Sequence, residues 1–76
     1  MPRLTPIPWQ RFEKFLLSVG CTFERQEGDH RIYGRANLTR PLVVPTYPEL
    51  PLFIIKNNLR VLGIDTKEYL KALERI

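Results

Sequence analysis

Glu27-Gly28-Asp29-His30-Arg31-Ile32-Tyr33 holds the turn around which the rest of the chain arranges itself. Gly28-Asp29 fits a two-residue hairpin loop, with glycine supplying the positive φ that opens a type II′ turn. Before it, Cys21 and Phe23 alternate with Thr22, Glu24 and Gln26, the period of a half-buried strand. After it, His30 to Ala36 forms a second strand. The only histidine of the chain therefore stands directly after a turn and at the start of a strand. Such a histidine serves either as an acid–base group or as an ordinary exposed turn residue.

Working outward, Thr39 to Val44 reads as a third strand ended by Pro45. Pro41 lies inside that run and marks it as an edge strand, because proline cannot donate to a ladder. Towards the N-terminus, Thr5-Pro6 suggests an N-cap with proline at the first helical position, and Pro8 still falls in the first turn. Trp9, Phe12, Phe15, Leu16 and Val19 then mark one helical face, and Gly20 is a stop. This predicts a helix over 6–19, after a loose segment over 1–5.

Residues 45–51 form a proline-rich loop, and Pro51 opens a second helix with Leu52, Ile55, Leu59 and Leu62 on its apolar side. Gly63 ends it, with Ile64 as the apolar contact after the cap. Asp65 and Glu68 make a capping-box pattern for a last helix over 66–75, with Tyr69, Leu70, Leu73 and Ile76 apolar. The expected fold class is α+β. In order α-β-β-β-α, a three-stranded antiparallel sheet has two helices covering one face, and a short C-terminal helix follows. That is the layout of the double-stranded-RNA-binding domain.

Composition narrows the functional classes. With 76 residues, one domain over 1–76 is expected, burying about 60% of its unfolded surface. A single cysteine, Cys21, excludes an internal disulfide, and with one histidine a His/Cys zinc site is not expected. We therefore expect no metal and no cofactor. No apolar run approaches the length of a membrane span, and no signal-peptide segment opens the sequence, so a cytoplasmic location is expected. The net charge of +4 and pI near 9.6 favour a polyanionic partner, usually nucleic acid.

Taken together, these pieces resemble the HicA-type (YcfA-like) mRNA interferase toxins of toxin–antitoxin systems. The resemblance rests on the helix ending in Gly20, the strand Phe23-Glu24-Arg25-Gln26-Glu27-Gly28 and the Gly-x-His element Gly28-Asp29-His30. It continues through Leu42-Val43-Val44-Pro45 and the helix ending Ile55-Lys56-Asn57-Asn58-Leu59-Arg60-Val61-Leu62-Gly63-Ile64. No piece is specific alone; their order over most of the chain is. Two positions depart from the pattern. Asp29 stands where the family usually has serine, and Arg31 where it often has a second histidine. The resemblance implies a ribosome-independent endoribonuclease held inactive by a HicB-type antitoxin protein, with His30 as the catalytic residue and messenger RNA as the substrate.

The chemistry suits so small a set of groups. The RNA 2′-hydroxyl is an internal nucleophile, so an enzyme must move two protons and offset charge on the phosphorus. A histidine with its ordinary pKa near 6.5 suits one proton transfer. The other falls to water, Tyr33 or Tyr47, and a slow enzyme is expected. Asp29 either holds the ring and favours its protonated form or is simply a good turn residue. Gly28 belongs to the turn, and its amide is also available to a phosphate.

Arg25, Arg31, Arg35 and Arg40 lie on the predicted strands and Lys56 on the second helix. By parity Arg31, Tyr33 and Arg35 share a strand face. Two readings follow: an RNA-binding face, with the arginines on phosphates and Tyr33 stacked on a base, or a solvated cationic sheet. Arg31 and Lys56 are the candidates for the phosphate at the cleavage site. The same parity leaves Ile32 for the core. Trp9, Phe12 and Phe15 are read as core, Cys21 as buried and inert, and Lys67, Lys71 and Arg75 with Glu68 and Glu74 as a solvated helix face. The rival functions are a non-catalytic RNA-binding module of the same fold and a protein-interaction domain docking an acidic partner.

Overall fold

The computed structural model describes residues 3–76. Its elements run α1 (Trp9–Ser18), β1 (Thr22–Glu27), β2 (His30–Gly34), β3 (Leu42–Pro45), α2 (Leu52–Leu62) and α3 (Thr66–Leu73). This is the expected α+β order, with a short final helix.

The sheet is antiparallel in the order β1-β2-β3, so β3 is an edge strand as Pro41 suggests. Cross-strand partners sort its two faces. Tyr33 faces Leu42 and Arg31 faces Val44. Tyr33, Leu42 and Val44 join one buried cluster with Phe12, Phe15 and Leu16 of α1, Ile55 and Leu59 of α2, and Tyr69 and Leu73 of α3. The helices thus cover this inner face. His30 opposite Pro45 and Ile32 opposite Val43 lie on the outer face.

Several local expectations shift. The first helix begins at Trp9, not residue 6, and its N-cap is Pro8, with no side-chain cap. The reason is Pro8 itself: proline disfavours a helical conformation in the residue before it. Ile7 is accordingly extended and pairs with Leu50, whose N–H donates to the Ile7 carbonyl at 2.7 Å. Of the loose segment expected over 1–5, residues 1–2 lie outside the described residues, and Leu4 packs against the core.

β1 is exposed along its whole length rather than half-buried, since it is the far edge strand and a bulge lies between Phe23 and Arg25. β2 ends at Gly34, and β3 starts only after Pro41. The last helix stops at Leu73, leaving Ile76 exposed.

Local punctuation holds elsewhere. Gly28 has φ 59° at the hairpin, and Gly63 has φ 73° at the end of α2. The Ile64 N–H then donates to the Leu59 carbonyl at 3.1 Å, closing the helix as a glycine stop should. Asp65 caps α3, accepting from the Glu68 N–H at 2.8 Å. Among the described residues no helix is long and apolar enough to cross a membrane.

Candidate functional site

His30 stands at the start of β2, on the outer face and exposed to solvent. The Gly28-Asp29 turn delivers it there, and the turn is tied down through its backbone. The Thr46 N–H donates to the Asp29 carbonyl at 2.8 Å, binding the hairpin to the loop after β3.

His30 forms part of the wall of a groove of about 420 Å³ running between the free edge of β3 and α2. Val43 and Pro45 supply the strand side, and Arg40 stands at the approach to that strand. Phe53, Asn57 and Arg60 supply the helix side, spaced i, i+4 and i+7 along one stripe of α2. Tyr47, from the loop between strand and helix, also lines the groove. Neither aspartate nor glutamate is among its lining residues. The groove, which Asn58 also lines, therefore joins a proton-transfer group to two guanidinium groups, two neutral amides and two aromatic rings.

Asn58 sets how α2 meets β3. It is the one buried polar residue among those described, and its amide donates to the Val43 carbonyl at 3.3 Å and to the Ile54 carbonyl at 3.0 Å. An edge-strand carbonyl that would otherwise lack a partner is satisfied by the neighbouring helix.

The expected RNA-binding residues divide. Arg31 and Tyr33 do share a face, but it is the inner one, and Arg35 lies just past the end of β2. Tyr33 is fully buried, at 0% exposure, so its ring has no open face for a base. Its hydroxyl donates to the Glu13 carboxylate of α1. Burial first, then that carboxylate, pushes the Tyr33 hydroxyl up to about 12, which also removes it as a proton carrier near neutrality. Arg31 is held on every nitrogen: Nε donates to the Tyr33 hydroxyl at 3.0 Å, Nη1 to Gln26 at 2.9 Å and Nη2 to Glu13 at 2.8 Å. Its guanidinium also lies 4.1 Å from the Phe23 ring centre and 4.9 Å from that of Trp9. Arg31 is thus engaged internally, on the sheet face opposite to that of His30.

Arg35 also works internally, donating to the Val19 carbonyl at 3.2 Å and the Leu62 carbonyl at 3.4 Å, where it joins the ends of α1 and α2. Arg25 is on the outer face with His30 but pairs with Glu27 and Glu24. Arg25, Arg35 and Arg40 meet, together with Glu24, around a second, shallower depression of about 280 Å³. Arg40 borders both depressions, as does its neighbour Pro41. Lys56 is exposed on α2 but does not line the His30 groove.

Ile32 is buried as expected, at 6%, yet on the outer face and apart from the main cluster. Tyr33, which parity alone had left outside, takes the central place. Sequence reasoning assigned no role to Arg60, Asn57 or Phe53. The signal available was their helical spacing on the face of α2 opposite Ile55, Leu59 and Leu62, which is also the spacing of any solvated helix face. Cys21 is buried, and burial raises its thiol against the smaller opposing pull of Arg35. Among the described residues no group of three or more His, Cys, Asp or Glu side chains could hold a metal ion.

Comparison with curated proteins returns no match. The family model described as HicA toxin of bacterial toxin–antitoxin matches residues 9–64, from the first residue of α1 to just past the glycine stop of α2. That span is most of the chain and includes all three strands, His30 and the whole helix side of the groove. The chain belongs to the HicA toxin family of bacterial toxin–antitoxin systems.

Proposed function

We propose that the protein is an endoribonuclease that cleaves messenger RNA without a metal ion, with His30 as general acid/base. One observation carries this reading: the single histidine lines the same groove as Arg40 and Arg60, with no carboxylate among the lining residues. A phosphodiester fits that charge pattern.

In the proposed reaction the 2′-hydroxyl oxygen attacks the adjacent phosphorus, and the bond to the leaving 5′-oxygen breaks. The products are a 2′,3′-cyclic phosphate and a 5′-hydroxyl. His30 handles one of the two proton transfers and water the other. Arg40 and Arg60 offset the charge that builds on the phosphate oxygens, and the Asn57 amide donates a hydrogen bond. From the groove the strand passes Arg40 towards Arg25. The tie at the hairpin runs through the Asp29 backbone carbonyl, so it does not depend on which side chain stands at that position. A HicB-type antitoxin partner would silence the enzyme by covering this groove.

The test is cleavage of a long single-stranded RNA in EDTA by the parent and by His30→Ala. The parent is expected to cut, and the variant to lose about 10²–10⁴-fold in rate while binding RNA nearly as well. Equal cutting by both would remove His30 from the mechanism. Binding by both with cutting by neither would make the protein an RNA-binding module.

A further inference from the structure

The chain has one tryptophan, three tyrosines and four phenylalanines, and the structure accounts for most of them internally. Phe12, Phe15, Tyr33 and Tyr69 are completely buried. Trp9 packs against the core under the Arg31 guanidinium. Phe23 is partly exposed, but Arg31 lies over its ring and Tyr33 meets it edge-on. Two remain. Tyr47 is 45% exposed and Phe53 64% exposed, and among the described residues neither ring has an aromatic or cationic partner. Both line the groove that contains His30.

Neither ring is there to fill the core. Phe53 starts the outward stripe of α2 that continues through Asn57 and Arg60. Tyr47 is fixed by its backbone, whose carbonyl accepts from the Trp9 N–H at 3.3 Å. A large apolar ring left in water is a feature that calls for a ligand when it borders a charged groove. The groove volume lies in the range that holds small organic groups, about 300–1,000 Å³. Its cations select an anionic chain, and its rings select something flat. Duplex RNA shows neither ring an open base face, whereas an unpaired strand does.

We propose that Tyr47 and Phe53 form a base-stacking subsite, which receives an unpaired nucleobase next to the phosphate held by Arg40 and Arg60. The subsite rests on the RNA-cleaving reading above and adds to it the demand for a single strand. Tyr47 and Phe53 are positioning residues: they set which phosphodiester comes to His30 by gripping a neighbouring base. The tyrosine contributes its ring rather than its hydroxyl.

The probe is a short single-stranded oligonucleotide with 2′-O-methyl sugars, which blocks cleavage, prepared as a set with one abasic position moved along the strand. Binding is measured for the parent and for Tyr47→Leu, Tyr47→Phe and Phe53→Leu, with thermal melts showing that each variant is folded. Either leucine variant is expected to weaken binding of the intact strand about tenfold. Tyr47→Phe should bind like the parent. At one or two positions the abasic strand should bind the parent as weakly as the intact strand binds Tyr47→Leu, with no further loss when the two changes are combined. Leucine variants that bind like the parent, or that lose equally at every abasic position, would overturn the subsite. A duplex of the same sequence binding as tightly as the single strand would also overturn it. Cleavage of the unmethylated strand is scored separately. A parent that shows this pattern but cuts nothing keeps the subsite and loses the nuclease; a parent that cuts without it does the reverse.

Discussion

Asn58 of α2 donates its buried side-chain amide to the carbonyl of Val43 on β3, at 3.3 Å, and so joins the free edge of the sheet to the helix beside it. Asn58→Leu keeps the bulk but leaves that carbonyl without its partner. The expected loss is about 1–3 kcal/mol. In a domain of this size each kcal/mol lowers Tm by about 4–8 °C. Urea unfolding of both proteins measures it, and equal midpoints would show that water replaces the amide at no cost.

Glu13 carries the opposite inner-face network. Its carboxylate accepts from both Arg31 and Tyr33, and the Arg31–Glu13 pair is four-fifths buried on the arginine side, with side-chain exposures of 20% and 23%. Glu13→Ala removes two partners at once and is expected to cost about 2 kcal/mol, against about 1 kcal/mol for Tyr33→Phe. The double variant should cost less than the sum, because the two changes share one interaction. Strict additivity in denaturant midpoints would dissolve the network.

Two tyrosines make stability sensitive to alkali. Burial, together with Glu13 for Tyr33, raises both the Tyr33 and the Tyr69 hydroxyls to about 12 in the folded chain. Their unfolded value is about 10. The folded state thus keeps these protons longer. Stability is whole below about pH 10 and is lost as pH rises from about 10 through 12. Tyr69 adds a second readout, since its buried hydroxyl has no hydrogen-bond partner among the described residues. Tyr69→Phe is expected to gain about 1 kcal/mol near neutrality and to flatten the alkaline fall. Urea titrations at several pH values would test both, and a variant that falls as steeply as the parent would exclude Tyr69 from the effect.

Asp29 lies beside His30 in an exposed turn. Its negative charge opposes an approaching phosphate. Asp29→Ser is expected to tighten RNA binding about threefold at low salt, with the gain vanishing at high salt. Unchanged affinity at low salt would place the RNA path away from the hairpin tip.

The parts of this protein that its sequence declares are those specified locally. Gly28-Asp29 sets its own turn, Gly63 its own helix stop, and Asp65 its own cap, each within a few residues. Parity puts Arg31 and Tyr33 on one face of β2, while Arg35 lies just past the end of that strand. Whether that face met helices or water was decided by packing between distant elements: Tyr33 enters the cluster with Phe12, Phe15 and Tyr69 and reaches Glu13 of α1, and no sequence signal links these residues. The groove was hidden for the same reason. His30, Arg40, Tyr47 and Arg60 come from different elements, and they meet only once β3 pairs with β2 and Asn58 draws α2 to its edge.

Cys21, alone and buried just before β1, gives the folded chain a practical silence towards thiol reagents. The attacking species in alkylation is the thiolate, which burial disfavours here. A cysteine introduced on the surface would therefore react first and cleanly, without replacing the native residue. Slow modification of Cys21 itself then becomes a clock for how often the junction between α1 and the sheet comes open.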